Sequence, residues 1–364
     1  MKLCIVLPSL NGGGAERVMI NIAHEMMDRG HDVCLIAVNK QGALLSILHP
    51  ELKVIDLQQG RLLKALPSLR STLRSEKPDA VLSAMAATNC IVGLAHRVSG
   101  SHARLVMSER ASPVTLSHRG RFNRHLLPAL RRITYPWADV ITTVSSEVAD
   151  ELMGLARLNR KRVVPVNNPG PVLCEKSDQS PHDWFEEDGP VLVSAGRLDG
   201  QKDQATMIRA LAKLRNEVPA KLILLGEGKE RENLEKLTSE LDLEEFVFMP
   251  GFVENSDQYI RRADCVVMSS VSEGTPNVLI EALHLGRKCV ATACPGGTIE
   301  VLGGGKFGWL SGVGDSDMLA QTIQTALTSE PKADLGTDRY DRAKVFDIYE
   351  DLLFGKNASS PNNI

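Results

Sequence analysis

Three things are scarce in this sequence. The first is paired cysteine. There are seven Cys in 364 residues, no C-x-x-C occurs, and the closest pair is Cys289 and Cys294. That spacing argues against a disulfide framework or a cysteine-based zinc site and points to a reducing compartment. The second is the long apolar run. The longest uncharged stretch, Ala80–Ala95, is interrupted by Ser83, Thr88 and Asn89, short of the roughly 18–20 apolar residues that span a bilayer. The opening MKLCIVLPSLNGG holds about six apolar residues, fewer than the roughly 7–15 of a secretory core. The expectation is a cytoplasmic protein whose only membrane contact is peripheral, at the inner face of the cytoplasmic membrane. The third is net charge, −3 from 42 Lys+Arg and 45 Asp+Glu. That near-balance hides an asymmetry: residues 1–170 carry 22 Lys+Arg against 13 Asp+Glu, and residues 171–364 carry 20 against 32. A basic first half points to nucleic acid or a membrane surface on that side only.

What is present is the balance of a folded globular chain, 43% apolar and 24% charged. At this length two domains of roughly 150–200 residues are expected. Strand-like runs and helical stripes alternate. Leu3–Leu7, Val33–Val38, Lys53–Leu57, Ala80–Ala84, Arg104–Ser108 and Val140–Val144 read as strands. Met19, Ile22, Ala23 and Met26 form a buried helix stripe. Asn167–Pro190, with four prolines and many acids, reads as an interdomain linker. A second series follows, with strands Val191–Ala195, Lys221–Leu225, Phe246–Met249, Cys265–Ser269 and Lys288–Thr292. The fold class expected is α/β, two Rossmann-like domains facing across a cleft, with ligands at the carboxyl ends of the strands.

Four loops at strand ends are chemically suggestive. Asn11-Gly12-Gly13-Gly14-Ala15-Glu16-Arg17 opens a helix but has Arg17 where a dinucleotide fingerprint needs its third glycine. Turn chemistry and ligand contact both remain open there. Gly196-Arg197-Leu198-Asp199-Gly200-Gln201-Lys202 places two cations where they could clamp a diphosphate, or simply lie in solvent. Gly226-Glu227-Gly228 fits either packing or ligand contact. In Ser272-Glu273-Gly274-Thr275-Pro276-Asn277-Val278-Leu279-Ile280-Glu281-Ala282, Pro276 suits the first turn of a helix whose N-terminus would receive a phosphate. Glu281 suits a vicinal diol such as a ribose, and Glu273 a bound sugar. The alternative is a capped helix with surface acids, but an unpaired carboxylate among Val278, Leu279, Ile280 and Ala282 would be costly.

Glu273 and Glu281, with seven residues between them, resemble the E-x7-E motif of the family 4 retaining glycosyltransferases of GT-B fold. The glycine loop, Gly196-Arg197-Leu198 with Lys202, Gly226-Glu227-Gly228, Pro295-Gly296-Gly297 and Gly312-Val313-Gly314-Asp315 follow in the family's order. The nearest flavour is that of bacterial enzymes extending lipid-linked oligosaccharides or surface polysaccharides. The resemblance implies an acceptor-binding domain over 1–170, completed by a returning helix at about 340–356, and a nucleotide-sugar domain over 171–339. It implies that Arg197, Lys202 and Glu273 serve catalysis, with the cations neutralising the diphosphate. Gly13, Gly14, Gly196, Gly226, Glu227, Gly274, Thr275, Pro276, Asn277, Val278 and Glu281 would bind a nucleotide-sugar donor, with UDP the nucleotide that the resemblance favours and GDP the alternative left open. Retention at the anomeric carbon follows, without a protein nucleophile. Where many relatives carry a His, this chain reads Ser108-Glu109-Arg110, which implies that Arg110 takes that site.

No metal and no other cofactor are expected. The only D-x-D, Asp315-Ser316-Asp317, reads as the N-cap of a helix over Asp317–Leu327. Between Arg110 and Ala138 there is no acid, and Arg119, Arg121, Arg124, Arg131 and Arg132 are interleaved with Leu126, Leu127, Leu130 and Ile133. A basic amphipathic helix of this kind suggests an anionic membrane surface and a polyprenyl-diphosphate acceptor. A solvated arginine face on a core-packed helix is the plainer alternative. Nucleic acid fits poorly, since no recognition motif is present. The other functions weighed are a GT-B epimerase, a dinucleotide-dependent oxidoreductase and a catalytically silent binding protein.

Overall fold

The computed structural model describes residues 1–11, 13–113, 125–173 and 179–355. Its contacts separate into two compact units, Met1–Pro169 with Asp341–Ile364, and Gly170–Tyr340.

The first unit is built on a seven-stranded sheet: β1 (Lys2–Leu7), β2 (Asp32–Ala37), β3 (Lys53–Asp56), β4 (Ala80–Ala84), β5 (Arg104–Glu109), β6 (Val140–Thr143) and β7 (Val163–Pro165). Their order is β3-β2-β1-β4-β5-β6-β7, every pairing parallel. Strand alternation supplies two cores. From β1, Cys4 and Val6 join one apolar cluster, while Leu3, Ile5 and Leu7 join the other. A sheet buried on both faces needs near-continuous apolar strands, and the central runs Leu3–Leu7, Val33–Ala37 and Ala80–Leu82 supply them.

The last helix, Arg342–Phe354, belongs to this first unit. Phe346, Tyr349 and Leu353 are fully buried in the second cluster. Arg29 donates to Asp347 and Glu350, both at 2.7 Å, His31 stacks on Phe354, and Arg104 Nε donates to the Leu352 carbonyl at 2.7 Å.

The second unit is a six-stranded sheet: β8 (Val191–Ala195), β9 (Lys221–Leu225), β10 (Val247–Gly251), β11 (Cys265–Met268), β12 (Lys288–Thr292) and β13 (Trp309–Ser311). The order is β10-β9-β8-β11-β12-β13, again parallel. Met207, Ala210, Leu211 and Leu214 of the helix Gln204–Leu214 are buried beneath it, as their spacing predicts. The supposed linker is partly packed. Asp183–Glu186 forms a helical turn, and Trp184 and Phe185 lie against the core of this unit. Proline and acid content conceal these two anchors.

In each sheet the strand order reverses beside its first strand, between β1 and β4 and between β8 and β11. The crevice at the carboxyl ends of those two strands is where such sheets take ligands.

Candidate active site

The loops leaving β8 and β11 flank the reversal point of the second sheet, and the structure ties them together. Gln201 Nε2 donates to the Ser272 carbonyl at 2.7 Å, Val271 N to the Gln201 carbonyl at 2.9 Å, and Ser269 Oγ to the Lys202 and Asp203 carbonyls at 2.9 and 2.8 Å. The loop after β9 closes one side, with Leu198 N donating to Glu227 O at 2.9 Å. Gly226, at φ +140°, has no room for a side chain, because a Cβ would run into the Gly196 carbonyl. Gly296, at φ +110°, lies equally close to the Glu273 carbonyl, so the 295–297 loop backs the 272–277 loop.

One charged cluster sits within this frame. Lys202 Nζ lies 2.6 Å from Glu273 Oε1, and Ser270 Oγ donates to the same oxygen at 2.6 Å. Lys202 and Glu273 side chains keep 18% and 9% of their exposure, and Ser270 is fully buried. Gly274, Thr275 and Pro276 then lead into the helix Asn277–His284, which Pro276 caps without any side-chain hydrogen bond. The N-cap residue itself thus offers no side-chain acceptor to the positive end of the dipole. Val278 is buried and Glu281 half-buried on that helix.

Arg197 is exposed and leans on Asp199 at 3.5 Å, apart from the Lys202 pair. The Glu227 carboxylate binds Arg231 at 2.7 Å, which holds its pKa below the ordinary value. Its side chain therefore serves a surface ion pair, and only its backbone is tied into the loop frame. Ser270, Ser269 and Gln201 were not foreseen. Hydroxyls directly following the apolar run Cys265–Met268 were the available signal.

In the first unit, Gly13 caps the helix Gly14–Asp28 after β1. Glu109 and Arg131 require a correction. Both side chains are 1% exposed and lie 3.1 Å apart. Tyr135 donates to Glu109 Oε2 at 2.7 Å, Asn89 donates to the Tyr135 hydroxyl at 3.1 Å, and Ser83 donates to Asn89 at 2.8 Å. Burial is the largest influence on the Arg131 pKa and would lower it, but Glu109 and Tyr135 together outweigh it and the net shift is upward. Burial and Glu109 push the Tyr135 phenol well up. Arg131 thus cannot face a membrane. Arg110 is also buried. Arg132 stays at the surface, donating to the Leu155 carbonyl at 2.8 Å. Leu126 and Ile133 are 50% and 56% exposed. Arg119, Arg121 and Arg124 lie outside the described residues.

Among the described residues, no group of three or more His, Cys, Asp or Glu side chains is gathered to hold a metal, and no helix is long and apolar enough to cross a membrane. Asp315 caps the helix Ser316–Thr328, accepting from Asp317 N at 3.1 Å and Met318 N at 2.9 Å.

Comparison with known proteins agrees with this arrangement. Residues 12–169 match the model described as Glycosyltransferase Family 4, and residues 176–341 match that of Glycosyl transferases group 1. The chain is 30% identical over 358 residues to the N-acetylgalactosamine-N,N'-diacetylbacillosaminyl-diphospho-undecaprenol 4-alpha-N-acetylgalactosaminyltransferase of Campylobacter jejuni, covering 95% of this chain and 96% of that one. A second Campylobacter jejuni enzyme, an alpha-1,4-N-acetyl-D-galactosaminyltransferase acting on GalNAc-alpha-(1->4)-GalNAc-alpha-(1->3)-diNAcBac-PP-undecaprenol, is 28% identical over 96% of this chain and 95% of its own. Among solved structures, Anabaena Alr3699/HepE in complex with UDP-glucose superposes with a TM-score of 0.83 at 20% identity, over 98% of this chain and 100% of that one.

Proposed function

The chain belongs to the GT-B glycosyltransferases of family 4 and group 1, relatives of the enzymes that extend lipid-linked oligosaccharides and lipopolysaccharide, and from that membership we propose a retaining hexosyltransferase. It moves a UDP-linked hexose or N-acetylhexosamine onto a polyprenyl-diphosphate-linked glycan, in the synthesis of a cell-surface polysaccharide or glycoprotein glycan. The unit Gly170–Tyr340 holds the donor, and the other unit takes the acceptor. The Campylobacter relatives, whose acceptors are undecaprenyl-diphosphate glycans, support this acceptor class.

The observation that carries the reading is the Lys202–Glu273–Ser270 cluster on the loops that lead into the helix Asn277–His284, whose N-cap is Pro276, at the reversal point of the sheet. UDP leaves carrying new negative charge. Once the donor is bound, Lys202, Arg197 and the helix N-terminus offset that charge electrostatically, Lys202 having left Glu273 and Arg197 having left Asp199 for the diphosphate. No metal is invoked. Lys202 exchanges Glu273 for the diphosphate, Ser270 keeps Glu273 in place for the sugar, and Glu281 accepts from the ribose hydroxyls. The acceptor hydroxyl attacks from the face that UDP leaves, and its proton passes to the departing phosphate oxygen. The test is incubation of the protein with UDP-sugars and a polyprenyl-diphosphate glycan, with the product anomer read by NMR. The expected product keeps the donor's anomeric configuration, and inversion or free-sugar release alone sinks the proposal.

The same reading assigns the face bearing Leu126, Arg132 and Ile133 to an anionic membrane surface, since two exposed apolar side chains seven residues apart flank a basic one. Cosedimentation should favour anionic over neutral vesicles and weaken in Ile133→Asp. Equal binding to both vesicle types, or none, rejects it.

A further inference from the structure

Among the described residues, no ion pair compensates the charge of Arg110. It directly follows β5, and strand alternation sends it to the face opposite Glu109. Glu109 turns toward Tyr135 and is engaged by Arg131. Arg110 turns toward the final helix, where Nη1 lies 3.5 Å from the Tyr349 hydroxyl, and Nη2 donates to Asn168 Oδ1 at 2.5 Å. Both partners are neutral, and among the described residues no carboxylate lies within ion-pair reach of this guanidinium. Burial pulls its pKa downward. The one acid that registers electrostatically is Glu16, in the first turn of the helix Gly14–Asp28, with its carboxylate folded back against Gly13.

A guanidinium 9% exposed without a counter-charge is costly to keep. Two neutral acceptors, one at the limit of hydrogen-bond distance, offset part of that cost. A purely structural role would be served as well by an apolar side chain of similar volume. The position is also that of a ligand group: the carboxyl end of β5, with the uncapped N-terminus of Gly14–Asp28 on the same sheet end. Arg rather than Lys suits a planar, bidentate oxyanion.

We propose that Arg110 is a receptor for a diphosphate, carried into the first unit by the lipid-linked acceptor or by the nucleotide sugar. Only the choice between those two sources rests on the transferase reading; the anion site does not.

Pyrophosphate is the probe. It is titrated calorimetrically into the full chain carrying Arg197→Ala and Lys202→Ala, which removes the two cations assigned to the donor diphosphate in the second unit. The expected result is that this variant still binds pyrophosphate, that adding Arg110→Met weakens binding at least tenfold, and that adding Arg110→Lys falls between. Unchanged affinity after Arg110→Met overturns the proposal, whatever sugar chemistry the protein performs. Arg110→Met should melt no lower than the wild type, because it removes a buried charge. A lower melting temperature restored by Arg110→Lys, with pyrophosphate affinity unmoved in both, also overturns it. Steady-state kinetics of the single variant then separate the sources. A tenfold rise in KM for the diphosphate-linked acceptor, with KM for a diphosphate-free glycoside unchanged, assigns the acceptor. A rise confined to the nucleotide sugar assigns the donor. A fall in kcat with every KM intact marks a packing role and rejects the proposal.

Discussion

Glu109–Arg131 and Lys202–Glu273, two of the carboxylate–cation pairs near the ligand-binding ends of the sheets, differ in what surrounds them. Glu109 and Arg131 are sealed, each 1% exposed, with Tyr135 and Asn89 filling the remaining space. Lys202 and Glu273 are closer, at 2.6 Å, yet partly open to solvent, and one oxygen of Glu273 is shared with Ser270. A sealed pair cannot trade partners without leaving a bare charge in the core. An open pair with a third member can release its cation to an incoming anion while the carboxylate stays placed. Burial, rather than residue type or distance, separates an ion pair that holds a fold from one poised to act.

The contrast can be broken from either side. Arg131→Met leaves Glu109 buried alone and should cost about 3–5 kcal/mol, read as a loss of hydrogen-exchange protection across β5 and a lower melting temperature. Adding Glu109→Gln should restore most of it, and an additive double variant would mean that the pair is not coupled. Lys202→Ala should leave melting almost unmoved while turnover falls roughly 10²–10³-fold, the size of loss seen when one oxyanion-stabilising donor is removed. Normal turnover would strip this pair of its proposed role. Ser270→Ala should have an intermediate effect, about tenfold on turnover with Lys202 still present, as expected for one hydrogen bond to a charged group. A variant as damaging as Lys202→Ala would mean that Ser270 does more than place Glu273. The smallest effect belongs to Asp315→Ala, which should cost about 1 kcal/mol as the loss of a helix cap and leave turnover unchanged. Abolished turnover would show that the D-x-D does chemistry.

Much of the framework was legible because buried parallel strands announce themselves. Ala80–Ala84, Lys221–Leu225 and Lys288–Thr292 are strands at the residues their apolar runs mark. β7 and β13, three residues each, are too short to display any pattern. Arg131 departs from the expected basic face for a subtler reason. Leu127, Leu130, Arg131 and Thr134 follow the i, i+3, i+4, i+7 stripe that faces the core. Arg131 thus lies on the buried stripe, while Leu126 and Ile133 lie off it. In the site, the glycine and acid motifs pointed to the right loops, but the hydrogen bonds that join those loops link residues roughly 70 positions apart, as from Gln201 to Ser272, and single-segment spacing does not reveal such pairs.

The helix Arg342–Phe354 gives the first unit a timing problem during synthesis. Met1–Pro169 leaves the ribosome without the segment whose Phe346, Tyr349 and Leu353 fill its second core. At about 5–20 residues per second, the wait while Gly170–Tyr340 is made lasts roughly 10–30 s. For that interval the newborn half carries an open apolar slot over β4, β5 and the helix Gly14–Asp28. A trigger-type chaperone would find its binding surface there, and a chain stalled before Asp341 would present the same slot to proteases.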